Sequence, residues 1–152
     1  MKYSYVSHLE CPKCHEIYSV DEVNQLCRCG APLLVKYDLS GAKSVFKKAD
    51  LNARKNSLWR YHELLPVKSE ENIVSLDEGM TPLTQLKKLG EKYALTNLYI
   101  KDEGIIPTGS FKTRGASVGI SKAKELGVEQ LAMPTNGNAG AAWALYSAKA
   151  GI

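Results

Sequence analysis

The sequence predicts an α/β fold in which a small cysteine-rich segment precedes a parallel-sheet domain, and three observations carry that expectation. From Leu98 onward the pattern alternates strand, helix, strand, helix: Leu98–Lys101, Ser110–Leu126, Leu131–Met133 and Asn138–Ala150. Such alternation argues for parallel strands joined by right-handed crossovers, with sites at the carboxyl ends of the strands. Two loops, 102–110 and 134–138, fall at those ends. Finally, all four cysteines lie in the first thirty residues. The chain divides accordingly into residues 1–37 (cysteine-rich), 38–75 (a connecting arm) and 76–152 (an incomplete α/β domain).

Composition narrows the function classes. A chain of 152 residues is one domain, or one domain with a small appendage. With 44% hydrophobic and 24% charged residues it reads as soluble and globular. Its apolar runs are far too short to span a bilayer, so no membrane partner is expected. Met1-Lys2-Tyr3-Ser4-Tyr5-Val6 has no apolar core of a secretory signal, which leaves the cytoplasm as the default compartment. The net charge of +4 is modest and spread out, and no basic run is interleaved with aromatics, so nucleic acid is not expected either.

The cysteines come as Cys11-Pro12-Lys13-Cys14 and Cys27-Arg28-Cys29-Gly30. The residues between the pairs suffice for a short hairpin through Ile17-Tyr18-Ser19-Val20. Without an export signal, paired cysteines bind metal more often than they form disulfides. Four thiolates suit a closed, structural zinc site of zinc-ribbon type, with Cys11, Cys14, Cys27 and Cys29 as ligands. The second pair is the tighter C-x-C. His15 follows Cys14 directly, which makes its joint ligation awkward. The bland alternative is four reduced thiols without metal. A redox pair lacks the βαβ context it needs.

Pro32–Asp38 reads as a closing strand of this unit, and Leu39–Asn56 as a surface helix and connector. Leu58-Trp59-Arg60-Tyr61, with Leu64 and Leu65, is expected to dock the arm on the main domain and to carry no chemistry. In Asp77-Glu78-Gly79-Met80-Thr81-Pro82-Leu83 the glycine and proline fix a turn that presents Glu78 and Thr81 on a loop. Leu86–Tyr93 is a short amphipathic helix and Asn97–Lys101 a strand.

The segment Pro107-Thr108-Gly109-Ser110-Phe111-Lys112-Thr113-Arg114-Gly115 is the centre of the chain's chemistry. Ser110 stands where a helix N-cap belongs, with Phe111, Gly115, Val118, Ala123 and Leu126 on roughly one face. Lys112 then falls in the first turn, where unpaired N–H groups and the helix dipole disfavour an ammonium. A lysine neutral part of the time is a nucleophile toward aldehydes; an ordinary solvated lysine is the bland alternative. Phe111 is expected in the core and Arg114 in a surface pair. The second loop, Thr135-Asn136-Gly137-Asn138, precedes a small-residue helix beginning Ala139-Gly140. Its glycine admits a ligand to the backbone, and the helix N-terminus offers N–H groups to an anion. Capping by Asn136 or Asn138 is the plainer alternative. Gly127 and Gly151 sit just past the two helices, as terminating glycines do.

Three motifs, in order and spacing, resemble the fold type II, tryptophan-synthase-like pyridoxal-phosphate enzymes: Glu78-Gly79-Met80-Thr81-Pro82-Leu83, Pro107–Gly115 and Pro134–Gly140. The cysteine-rich start followed by Leu58–Tyr61 is similar to the threonine synthase branch of that family. Many of that branch carry Asp after the lysine, where this chain has Thr113. The resemblance implies the cofactor pyridoxal 5'-phosphate, bound covalently by Lys112, with Asn138 on its phenolic oxygen. It implies that Thr135, Asn136, Gly137, Asn138 and Ala139 hold the substrate carboxylate, with Ser110, and more weakly Thr81 and Thr108, donating to substrate. It further implies conversion of O-phospho-L-homoserine and water to L-threonine and phosphate, by a homodimer at full length. The family's cofactor-phosphate loop and pyridine partner do not occur in these residues. The expectation is therefore an N-terminal portion that is inactive alone. Alternatives are a threonine or serine dehydratase, a cysteate-forming relative, or a non-catalytic zinc-ribbon binding module.

Overall fold

A computed structural model describes residues 2–152. At the N-terminal end, β1 (Val6–Glu10) is the centre of a three-stranded antiparallel sheet between β2 (Ile17–Tyr18) and β3 (Leu34–Tyr37). Leu9 faces Tyr18 on one side and Val35 on the other. The cysteine turns supply the connection: the backbone of His15 bonds to Cys11 and that of Gly30 to Cys27. Asp38 then caps α1 (Leu39–Val45), accepting from the Gly41 N–H at 2.8 Å.

The arm descends through 3-10 turns at Lys48–Ala53, Leu58–Leu64 and Glu70–Asn72. It is held by Arg54, which donates twice to the Glu63 carboxylate at 2.8 and 2.5 Å. Trp59 is buried, as expected of a docking residue. After the turn at 77–82 come β4 (Leu83–Gln85), α2 (Lys87–Lys92), β5 (Tyr99–Lys101), α3 (Lys112–Glu125) and α4 (Asn138–Ala150). The two long helices pack on each other around Val74, Ala116, Ile120, Ala142 and Tyr146, with Leu76 and Trp143 beside them. Gly127 and Gly151 end these helices in the left-handed region, φ 69° and 76°.

The expected parallel pairing is not formed among the described residues. β5 pairs antiparallel with β4, Thr84 opposite Ile100. Leu131–Met133 makes no ladder, and Leu131 and Met133 stay exposed. A parallel strand is buried on both faces and needs neighbours to complete its hydrogen bonds. Here 131–133 has none.

The face of α3 is also turned from the one expected. Thr113, Ala116, Ser117, Ile120 and Ser121 are buried, whereas Phe111 is 61% exposed. Hydroxyls can occupy a buried face when each finds a partner. Ser121 Oγ accepts from the Val74 N–H at 2.8 Å and donates to the Ser117 carbonyl at 2.7 Å. The packed side of this helix therefore mixes its three hydroxyls with Ala116, Ile120 and Ala123.

Candidate functional site

The loop before α3 is closed by Thr113, whose Oγ1 accepts from the Thr108 N–H at 3.3 Å and bonds the Thr108 hydroxyl. Thr113 is completely buried, so this residue builds the turn and does not face solvent. Ser110 does not cap the helix. The first turn is instead tightened by Thr113 N–H to the Ser110 carbonyl (3.1 Å) and Arg114 N–H to the Phe111 carbonyl (3.1 Å). The Ser110 hydroxyl is left buried without a partner. Lys112, the first residue of α3, is exposed, and its Nζ lies 4.7 Å from the centre of the Phe111 ring. Phe111 thus supports the lysine from outside the core.

Before α4, the helix start is capped from an unexpected position. Thr135 Oγ1 accepts from the N–H groups of Gly137 (3.1 Å) and Gly140 (2.8 Å), in place of Asn136 or Asn138. Position 140 must be glycine for this: a Cβ there would stand 2.6 Å from the Thr135 methyl. The N–H groups of Asn138 and Ala139 precede the first intrahelical bond, made by Ala141 to the Gly137 carbonyl, so the helix supplies them no acceptor. They are donors at the positive end of a thirteen-residue helix.

These two starts meet. A cavity of about 500 Å³ is lined by Lys112 together with Pro134, Thr135, Asn136, Gly137, Asn138 and Ala139. The volume is in the range of small-molecule sites. A primary amine, a side-chain amide and free backbone N–H groups on one cavity suit an aldehyde-bearing, anionic cofactor and an amino-acid carboxylate. The orphaned Ser110 hydroxyl, two residues from the lysine, is buried and is not part of that lining.

Thr81 and Thr108 are not in that lining. Thr81 is buried and donates to Glu103 Oε1 at 2.6 Å, while Arg114 grips the same carboxylate at 2.6 and 2.8 Å. The Arg114 guanidinium first, and the Thr81 hydroxyl after it, hold the Glu103 carboxyl down at about 2. This cluster ties the 78–83 turn to the base of the lysine loop.

The four cysteine sulfurs lie within 4.8 Å of one another, unbridged, with Cys11–Cys29 at 3.5 Å and Cys14–Cys27 at 3.4 Å. Tetrahedral zinc–thiolate bonds of about 2.3 Å place sulfurs about 3.8 Å apart, so the cage fits that ion. The N–H groups of Lys13 and Cys14 donate to Cys11 Sγ, each at 3.4 Å, and the Tyr18 hydroxyl to Cys27 Sγ at 3.3 Å. His15 turns away to Glu10, 3.1 Å distant.

Sequence reasoning did not single out the buried partners of Glu78. Trp59, Ser117 and Tyr146 all converge on its carboxyl group. A glutamate inside a turn carries no signal of burial, although the serine-rich face of α3 hints that something polar lies opposite.

A lysine at one helix start and an asparagine–glycine loop at the next face one cavity, an arrangement that suits a carbonyl cofactor. The family model of pyridoxal-phosphate dependent enzymes matches residues 74–152, and the chain belongs to that family. Among curated proteins, the threonine synthase of Methanocaldococcus jannaschii is 45% identical over 141 residues, 93% of this chain and 35% of the relative. That of Methanosarcina acetivorans is 47% identical over 146 residues, 95% of this chain and 35% of the relative. That of Halalkalibacterium halodurans is 43% identical over 101 residues, 63% of this chain and 28% of the relative. The chain thus spans about a third of the length of the first two of these relatives.

Proposed function

We propose that residues 1–152 supply the lysine-bearing, N-terminal portion of a threonine synthase, which converts O-phospho-L-homoserine and water to L-threonine and phosphate. The observation that carries this reading is the single cavity shared by Lys112 and the 134–139 loop. The names of the relatives support threonine synthesis as the activity. Pyridoxal phosphate, when bound, supplies the electron sink that makes carbanions beside the substrate amine accessible. Lys112 Nζ binds the cofactor and then carries protons between substrate carbons. The Asn138 side chain holds the phenolic oxygen, and the N–H groups of Asn138 and Ala139 receive the substrate carboxylate. The Ser110 hydroxyl, buried two residues before the lysine, is the remaining candidate donor to substrate. Thr113 does not discriminate among substrates in this reading, because it is fully buried.

Cys11, Cys14, Cys27 and Cys29 hold a structural zinc ion in the same reading. The division at residues 37 and 75 goes with it, as does a parallel sheet in the assembled enzyme. Tyr99, Ile100, Leu131 and Met133 are exposed here, and strands from outside residues 1–152 would cover them.

The test is an assay of the polypeptide as its own cell makes it. Phosphate and L-threonine should appear in equal amounts from O-phospho-L-homoserine, and Lys112→Ala should cut the rate by about 10²–10⁴-fold or more. Ammonia and a keto acid in their place would make it a dehydratase and overturn the assignment. The 152-residue chain alone should show no comparable turnover.

A further inference from the structure

The most heavily bonded side chain among the described residues lies outside the lysine cavity. Glu78 is completely buried, and its carboxyl group accepts hydrogen bonds from four separate parts of the chain. Oε1 takes the Trp59 Nε1–H at 3.1 Å, the Ser117 hydroxyl at 2.5 Å and the Ser75 hydroxyl at 3.1 Å. Oε2 takes the Leu76 N–H at 2.8 Å and the Tyr146 hydroxyl at 2.6 Å. Burial, and then the hydrogen bond to this carboxyl, push the Tyr146 phenol well above its usual range, so it stays a donor.

The backbone around Glu78 is as tightly placed as its side chain. Its carbonyl accepts from the Leu58 N–H at 2.6 Å. Gly79, at φ +147°, follows so close to the arm that a Cβ would stand 2.9 Å from the Ser57 carbonyl carbon. The carboxyl cannot slide along the chain without breaking this seat.

Two of its donors lie on the helices that build the cavity. Ser117 is five residues along α3 from Lys112, a rise of about 7.5 Å, and Tyr146 is eight residues along α4 from Asn138, about 12 Å. One carboxyl group therefore ties α3 to α4 from below the cavity. The apolar contacts between the helices are non-directional, and small residues such as Ala116 and Ala142 allow sliding. Hydrogen bonds to one fixed acceptor do not.

We propose that Glu78 is a positioning residue, which locks α3 against α4 and so sets how Lys112 faces the 135–139 loop. The inference rests on the reading that Lys112 carries the cofactor. Glu78→Gln is the informative variant. Whichever way the amide turns, its NH₂ replaces one acceptor oxygen and meets two or three donors head-on, while the volume is kept.

In the polypeptide as its own cell makes it, Glu78→Gln should lower kcat/KM about ten- to hundredfold. It should also shift the pH profile of bound-cofactor absorbance. A readout without cofactor uses amide hydrogen exchange of the unloaded protein: exchange should quicken at 110–117 and 134–139, with β1–β3 unchanged. Unchanged local exchange and an unchanged absorbance profile, with only a lower melting temperature, would overturn the proposal. If Glu78→Gln does not fold, Tyr146→Phe and Ser117→Ala each remove one link and should give the same local pattern at smaller amplitude. A uniform response in both overturns it equally. Loss of cofactor absorbance in Lys112→Ala tests the underlying reading separately.

Discussion

Residues 6–37 hang a three-stranded antiparallel sheet on four sulfur atoms, whereas residues 74–152 pack two helices around Ile120, Tyr146 and a buried carboxyl group. In the first region Ile17, Val23, Leu26 and Leu34 are all substantially exposed, and the buried apolar residues are Cys11, Val20 and Cys27. So few residues cannot bury enough apolar area to offset the entropy of ordering the chain. A metal ion can, because the site exists only in the folded state and binding energy becomes folding energy. The second region has a core of its own, and its polar interior is spent on aiming two helix starts at one cavity. One end is fastened; the other is arranged.

If the contrast holds, its largest consequence is regional. Cys11→Ser, or removal of zinc by a chelator, should abolish stoichiometric metal and amide-exchange protection in β1–β3 as a unit. Protection in α3 and α4 should persist. Metal analysis with residue-resolved exchange checks this, and protection of β1–β3 that survived the loss of zinc would break the comparison.

Ile120→Ala probes the opposite end. Ile120 is fully buried between the helices, so its truncation should cost about 2–5 kcal/mol through lost burial and a residual cavity. Denaturant unfolding measures it, and the zinc content should stay the same. A loss of zinc in this variant would show that the two regions are one cooperative unit.

A smaller effect sharpens the electrostatics of the helical half. The Glu103 carboxyl is held at about 2 when folded, against an ordinary value of 4.5. A depressed folded value contributes stability that is present above about pH 4.5 and is lost as the pH falls toward 2. Allowing for solvent screening of a pair that is about a quarter exposed, the contribution is about 1–2 kcal/mol. Glu103→Gln should therefore flatten the unfolding midpoint against pH over that window. A slope equal to that of the wild type would assign the acid lability to other carboxylates.

Much of this was legible in the sequence because it is local. The α4 span, the terminating glycines and the closing strand before Asp38 all follow from periodicity and turn chemistry acting over a few residues, whereas the hairpin expected between the cysteine pairs forms instead around the first pair, with Ile17–Tyr18 on β1. The cysteine quartet was legible too, since sulfur has few other uses in such pairs. What sequence reasoning misplaced depends on what lies opposite. Phe111 read as core from its apolarity and is exposed beneath Lys112; Ser117 and Ser121, outside the face that periodicity marked, are buried. Thr135 took the cap assigned to its asparagine neighbours because its hydroxyl, at that distance, reaches two N–H groups at once.

By itself, then, the sequence determined where α4 begins and which four thiols belong together. Tertiary structure alone decided that Lys112 and the 134–139 loop share one cavity, that the buried face of α3 carries its hydroxyls, and that Glu78 joins both helices. The reason is range. Propensity and capping act within a turn or two, whereas burial of a carboxyl group and the aim of two helix starts are set by partners 19, 39 and 68 residues away.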